Sequence, residues 1–391
     1  MVAGALARPA PETGGMLRIA FLCKRRYMSK DVVLDRYARL YEIPRQLALR
    51  GHDVLGLCLD YRGRAPGEWE HDVGTGRLRW RSRPLGRLVL PGLATYPVRL
   101  LKELRAFSPD VVIGASDIPH VALGAWLSTR LGCFYVADLY DNFEGFGQAR
   151  IPGFVPMLRR GVRRADLVTT TSALLRDHVR ASYPPRGAVL ALPSSVDLSV
   201  FRKHDPQTCR KALGLPGQVK LIGTAGGLYR DKGVEPLYAA WRQIASARPD
   251  VHLVLAGPTE AQFPPPHGDR VHYLGMLPHD KVAQLFSALD VGVISVLDTP
   301  FGRYCFPQKA YEMLACSLPV AAADVGATGE LFAGSPRVRF TAGDADALAA
   351  AVLGQLERPT HPSLTVPDWR ELVETLAQHL PTPPHSAQSN R

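Results

Sequence analysis

The chain has 391 residues, of which 46% are hydrophobic and 21% charged. That balance suits a globular protein of two or more domains and excludes a disordered, collagen-like or fibrous chain. The net charge of +11 lies wholly in the first half: residues 1–200 hold 29 Lys+Arg against 18 Asp+Glu, and residues 201–391 hold 18 of each.

Such asymmetry predicts two domains that meet different partners. Residues 1–15 and 381–391 read as disordered ends. Arg8, Pro9 and Pro11 interrupt any secretory h-region. No apolar run reaches the ~18 residues of a membrane span. Cys23, Cys58, Cys133, Cys209, Cys305 and Cys316 form no CxxC pair, so they read as free thiols in a reducing compartment. The expectation is a cytoplasmic protein, with peripheral contact to the inner membrane face as an option.

Strands are predicted at 17–23, 52–59, 110–116, 133–139, 166–172 and 188–194, with helices between them. These runs are continuously apolar, as in parallel strands buried on both faces. The pattern restarts at 219–225 and continues at 251–257, 271–275, 290–296, 318–324 and 337–342. Val234, Leu237, Trp241 and Ile244 fall at helical spacing, as do Val282, Leu285 and Leu289. The fold class is therefore α/β with two successive parallel-sheet domains, 16–198 and 199–362. An amphipathic segment, 363–380, follows a proline-rich linker. Open parallel sheets bind ligands outside the carboxyl ends of their strands. The active residues are expected just past each strand.

Two segments suit a phosphate ligand. Gly223 to Gly233 links a strand to a helix. Its glycines, including Gly227, admit a ligand to the backbone, and the helix N-terminus favours an anion. Arg230 and Lys232 add two positive charges. In the second segment, Lys309 and Glu312 stand one turn apart after Pro307. A carboxylate there can accept both hydroxyls of a ribose. Asp344 and Asp346 read as a helix start, not a metal site.

The order of these motifs resembles a GT-B-fold glycosyltransferase, closest to the glycosyltransferase family 4 type. Leu192-Pro-Ser-Ser-Val-Asp197 to Phe201 resembles that family's domain junction. Gly223 to Gly233 resembles its phosphate loop, and Phe306-Pro-Gln-Lys-Ala-Tyr-Glu312 with Leu318-Pro-Val its glutamate helix. The resemblance implies two facing Rossmann-like domains with an interdomain cleft. It also implies a C-terminal helix returning to the N-domain. Arg230, Lys232, Lys309 and Gly227 would then meet the donor diphosphate, Glu312 the ribose, and backbone near Met276 and Leu277 the base. Tyr304, Cys305 and Phe306 would face the donor sugar. Tyr304 stands where the family carries a sugar-contacting Glu, and Tyr140 where it often carries a His.

The implied function is hexose transfer from a nucleotide sugar, a UDP-sugar first and GDP-mannose next. The acceptor would be a glycan, glycolipid or lipid-linked molecule. The reaction is expected to retain configuration and to need no metal or other cofactor, since cations stabilise the leaving diphosphate. An inverting reaction would need a base. Asp141 is the first candidate, with Glu144, Asp138, Asp117 and His120 also at carboxyl ends of N-domain strands. Lys24, Arg25, Arg26 and His120 are the candidate acceptor contacts. Arg77, Arg79, Arg81, Arg83 and Arg87 around Trp80, and Arg159, Arg160, Arg163 and Arg164, suit an anionic membrane surface. Two other readings are a nucleotide-sugar epimerase or hydrolase on the same fold, and a nucleic-acid-binding protein. No reader module supports the latter, so no nucleic-acid partner is expected.

Overall fold

The computed structural model describes residues 15–27, 30–63, 65–85, 89–145 and 147–383. Of the two ends expected to be disordered, only Gly15 and 381–383 are described, and Arg87 also lies outside the described residues.

The first sheet is built from β1 (Arg18–Lys24), β4 (Asp53–Asp60), β5 (Gly67–His71), β6 (Arg77–Pro84), β7 (Val111–Ala115), β8 (Phe134–Leu139), β9 (Leu167–Thr170) and β10 (Ala188–Ala191). A small hairpin, β2 (Arg26–Tyr27) with β3 (Lys30–Asp31), follows β1. The strand order is β10-β9-β8-β7-β1-β4-β6-β5. Only β5 runs antiparallel to its neighbour in this sheet.

The second sheet holds β11 (Lys220–Ala225), β12 (Val251–Ala256), β13 (Val271–Tyr273), β14 (Val291–Ile294), β15 (Val320–Ala323) and β16 (Arg339–Phe340). Its order is β13-β12-β11-β14-β15-β16, parallel throughout. Each order reverses beside the domain's first strand, which opens a crevice at the carboxyl ends there.

Apolar cores cover both faces of each sheet. In β1, Leu22 enters one core with Leu57 and Val112, while Phe21 enters the other with Cys58 and Ile113. Alternate side chains of a doubly covered strand behave this way. The helix Trp369–Ala377 lays Trp369, Leu372, Val373 and Leu376 against Leu40 and Ile43 of the first domain. This helix, which follows the second domain, thus packs on the first. Arg50 Nη2 adds a bond of 3.0 Å to the Arg370 carbonyl.

The hairpin β5–β6 was absent from the expected strands, although its sequence alternates strictly. Leu78, Trp80 and Ser82 point inward and are buried. The arginines between them point outward and meet acids. Arg77 pairs with Glu70 at 3.2 Å, Arg79 with Asp53 at 2.8 Å, and Arg81 with Glu103 at 2.6 Å. Arg83 lies 3.8 Å from the same Glu103. Glu68, 3.4 Å from Arg81, makes four carboxylates against these four arginines, which corrects their reading as a free basic patch. Arg160, Arg163 and Arg164 stay exposed on and just after the helix Phe154–Arg163. Among the described residues, no helix is long and apolar enough to cross a membrane.

One buried ion pair fixes the first domain to the junction. Arg39 and Asp138 are 0% and 1% exposed, and their closest approach is 2.6 Å. Arg39 Nη1 also donates to the Leu192 carbonyl at 2.7 Å, and Thr169 Oγ1 donates to Asp138 at 2.6 Å. Breaking such a pair strands a buried charge, at a cost of about 3–5 kcal/mol. Arg39→Met should lower stability by that order in urea unfolding. Adding Asp138→Leu should recover part of the loss.

Candidate active site

A cavity of about 450 Å³ lies between the carboxyl ends of the two sheets. Lys24, Tyr140 and Asp141 line it from the first domain, and Lys232, Lys309 and Glu312 from the second.

On the second-domain side, β11 runs out at Ala225 into Gly226, whose φ is +112°. The short turn Arg230–Lys232 then leads through Gly233 into the helix Val234–Ala247. Gly233 has φ +72°, and a Cβ there would lie 1.5 Å from the Ser295 carbonyl oxygen. Only glycine fits both constraints. Ser295 Oγ donates to the Lys232 carbonyl at 3.0 Å, so the same serine also pins the turn. Lys232 Nζ then lies 3.3 Å from Cys305 Sγ and 4.2 Å from the centre of the Phe301 ring.

Lys309 sits in the first turn of the helix Gln308–Ala315 and donates from Nζ to Thr224 Oγ1 at 2.9 Å. Burial lowers its pKa to about 8, and Lys232 pushes the same way. Glu312 follows one turn later. Burial raises its carboxyl to about 7, against the pull of Lys309. The two shifts describe one fact: these groups share a poorly solvated wall.

On the first-domain side, Lys24 ends β1 and donates from Nζ to the Tyr140 hydroxyl at 3.0 Å. Burial lowers the Lys24 pKa. Asp141 follows β8 and is 8% exposed, and its Oδ1 accepts the Asn142 N–H at 2.8 Å. Burial raises its pKa to about 7, although the Asn142 N–H, Lys232 and Lys24 oppose this.

Gly227, Cys305 and Phe306 line the cavity as well. Other expected residues lie elsewhere. Arg230 is exposed and meets Glu235 at 3.3 Å. Tyr304 turns to the first domain, with its ring 4.9 Å from that of His178. Met276 is exposed, and Leu277 packs on the second-domain core. Glu144 is held by Arg159 at 2.7 Å and 3.0 Å.

Arg25 and His120 are corrected as acceptor contacts. Arg25 is buried against Asp31 at 2.9 Å and lies over the Trp69 ring at 4.8 Å. His120 is buried against Asp117, at 2.5 Å, where Asp117 caps the helix Ile118–Leu131. Asp117 and Asp138 are thus occupied structurally. Arg26 is half-buried in the β2–β3 hairpin, away from the cavity wall.

Sequence reasoning missed Tyr27, Tyr37, His279 and Phe301 in the wall. Tyr37 and His279 meet edge-on across the domain boundary, their centroids 5.5 Å apart. Each stands just before or at the start of a helix, the one signal that marked them.

Family models match both domains. Residues 38–194 match the family model described as a glycosyl transferase 4-like domain, and residues 219–358 that of glycosyl transferases group 1. The chain belongs to the GT-B-fold glycosyltransferases of the family 4 type. It is 28% identical to the 2-deoxystreptamine N-acetyl-D-glucosaminyltransferase of Streptomyces fradiae, over 82% of each chain. It is 27% identical to the GDP-mannose-dependent alpha-mannosyltransferase of Mycolicibacterium smegmatis, over 81% of this chain and 82% of that one. In fold it resembles the sucrose-phosphate synthase of Thermosynechococcus elongatus, with a TM-score of 0.71 and 21% identity. That likeness covers 92% of this chain and 94% of the other.

For this glycosyltransferase the cavity's titrations set a pH window. A diphosphate held by Lys309 would need it protonated, below about 8, and a ribose held by Glu312 would need it ionised, above about 7. Affinity for a nucleoside diphosphate should therefore peak between these values and fall on both sides. Calorimetric titration at about pH 6, 7.5 and 9 checks this. Lys309→Met should remove the alkaline fall.

Proposed function

We propose that the enzyme transfers a hexose from a nucleotide sugar to a hydroxyl of a glycan, glycolipid or lipid-linked acceptor. The donor is a UDP-sugar first and GDP-mannose second. The supporting observation is the convergence of Lys232, Lys309 and Glu312 opposite Asp141 and Lys24 in one cavity. The GDP-mannose dependence of the Mycolicibacterium smegmatis relative supports a nucleotide-sugar donor.

As the bond from the anomeric carbon to phosphate oxygen breaks, negative charge grows on the diphosphate. Lys232 and Lys309 meet it in a poorly solvated site, where fixed charges act strongly. These two cations supply the neutralisation without a metal. Transfer proceeds with retention: the departing phosphate oxygen takes the acceptor's proton on the face that the acceptor attacks. The Asp141 carboxylate faces the positive charge developing on the sugar. The Tyr140 hydroxyl accepts from Lys24 and keeps its own O–H to donate to a sugar oxygen.

Asp141→Asn should lower kcat at least about tenfold while donor affinity stays within about twofold. Proton NMR of the product should show the donor's anomeric configuration. Unchanged turnover removes Asp141 from the chemistry, and an inverted product removes the retaining mechanism.

Membrane docking belongs to the same proposal, confined to Arg160, Arg163 and Arg164 at about 1 kcal/mol each on an anionic surface. Sedimentation with phosphatidylglycerol vesicles should fall when all three become Glu. Equal sedimentation with neutral vesicles would contradict it.

A further inference from the structure

Tyr304 has a use other than the sugar contact that the resemblance implies. It ends the short helix Pro300–Tyr304, which leads into the cavity wall. Its side chain leaves its own domain and packs against the first-domain core that contains Leu175, Val179 and Tyr183. There its ring lies tilted against that of His178, centroids 4.9 Å apart at 38°. His178 in turn meets Tyr183 edge-on at 5.8 Å. A second first-domain element lies near the same helix: a Cβ built on Gly145 would come within 3.9 Å of the Phe301 Cα. The segment is thus tied to the other domain through Tyr304.

The segment is also stiff. Thr299 Oγ1 accepts the Gly302 N–H at 3.0 Å, and the Cys305 N–H donates to the Phe301 carbonyl at 2.9 Å. A Cβ on Gly302 would lie 2.0 Å from the Leu297 carbonyl oxygen, so this turn is packed against its own loop. Phe301 and Cys305, one turn apart and beside Tyr304 on this helix, are the two groups that hold Lys232. The Phe301 ring lies 4.2 Å from Nζ, and Cys305 Sγ accepts from it at 3.3 Å. The aromatic face and the sulfur fix the ammonium without neutralising it.

We infer that Tyr304 and His178 form a clasp between the domains that positions Lys232, through Phe301 and Cys305, for the donor diphosphate. This rests on the donor-site reading above. Tyr304 is a positioning residue; it lies outside the cavity wall. A stiff turn transmits a displacement at Tyr304 to both contacts of Lys232. A shift of about 1 Å in a catalytic group can cost up to about a hundredfold in rate. The ring carries the clasp, so the hydroxyl is dispensable.

The test compares wild type with Tyr304→Phe, Tyr304→Ala, Tyr304→Leu and His178→Ala. Donor kinetics and calorimetric affinity for UDP and GDP are measured for each. Tyr304→Phe should stay within about twofold of wild type. Tyr304→Ala and His178→Ala should lose at least about tenfold in kcat and bind the nucleoside diphosphate more weakly. Far-UV spectra should be unchanged. Tyr304→Leu, which keeps apolar bulk but no ring to set against His178, guards against a folding defect and should also lose turnover. Wild-type kcat and affinity in Tyr304→Leu overturn the clasp, as does Tyr304→Phe failing as badly as Tyr304→Ala. Wild-type protein that binds neither nucleotide overturns the donor-site reading, and the clasp with it.

Discussion

Two ammonium groups share one small, poorly solvated cavity. Lys232 and Lys309 approach from different elements, and their repulsion adds to the burial that depresses Lys309. Like charges so placed are costly until an anion joins them. Much of the second domain is arranged to keep them there. Gly233 lets the turn carrying Lys232 press against Ser295. Thr224 Oγ1 and the open backbone at Gly226 leave a berth for Lys309. Glu312 offsets part of the charge from the same helix. A diphosphate relieves the repulsion directly, and it is the group that gains charge as a nucleotide sugar breaks.

The first domain supplies the opposite wall and a different polarity. Its excess of arginine lies largely away from the cavity, in pairs along β6 and at Arg25. What reaches the cavity is Lys24, locked to Tyr140, and the buried Asp141. The Arg39–Asp138 pair holds the end of β8, and with it Tyr140 and Asp141, against the chain that crosses to the second domain. The helix Trp369–Ala377 ties the chain's far end to the same body. The two walls are therefore coupled at several points.

Much of this was legible in the sequence. Strands such as Val111–Ala115 read directly, because an unbroken apolar run between polar loops marks a strand covered on both faces. Lys232, Lys309 and Glu312 were legible because each follows a strand or opens a helix, where ligands gather. Other features depend on tertiary neighbours. Arg25 and His120 stand at the expected distance past strands, yet Asp31 and Asp117 claim them. Nothing in the spacing announces those partners. The strand Arg77–Pro84 did announce itself by alternation, but its arginines suggested a surface patch, and the acids that neutralise them come from β4, β5 and a distant helix. Tyr304 could be seen to depart from the family pattern; that it faces His178 emerges only when the domains meet.

In this reading Lys232 and Lys309 together hold the diphosphate of the donor. Titrating UDP and GDP into wild type, Lys232→Ala and Lys309→Met near pH 7.5 tests it most directly. The expected result is one nucleotide bound per chain in wild type, with each substitution weakening it at least about tenfold. Binding of neither nucleotide, or equal affinity in all three proteins, would contradict it.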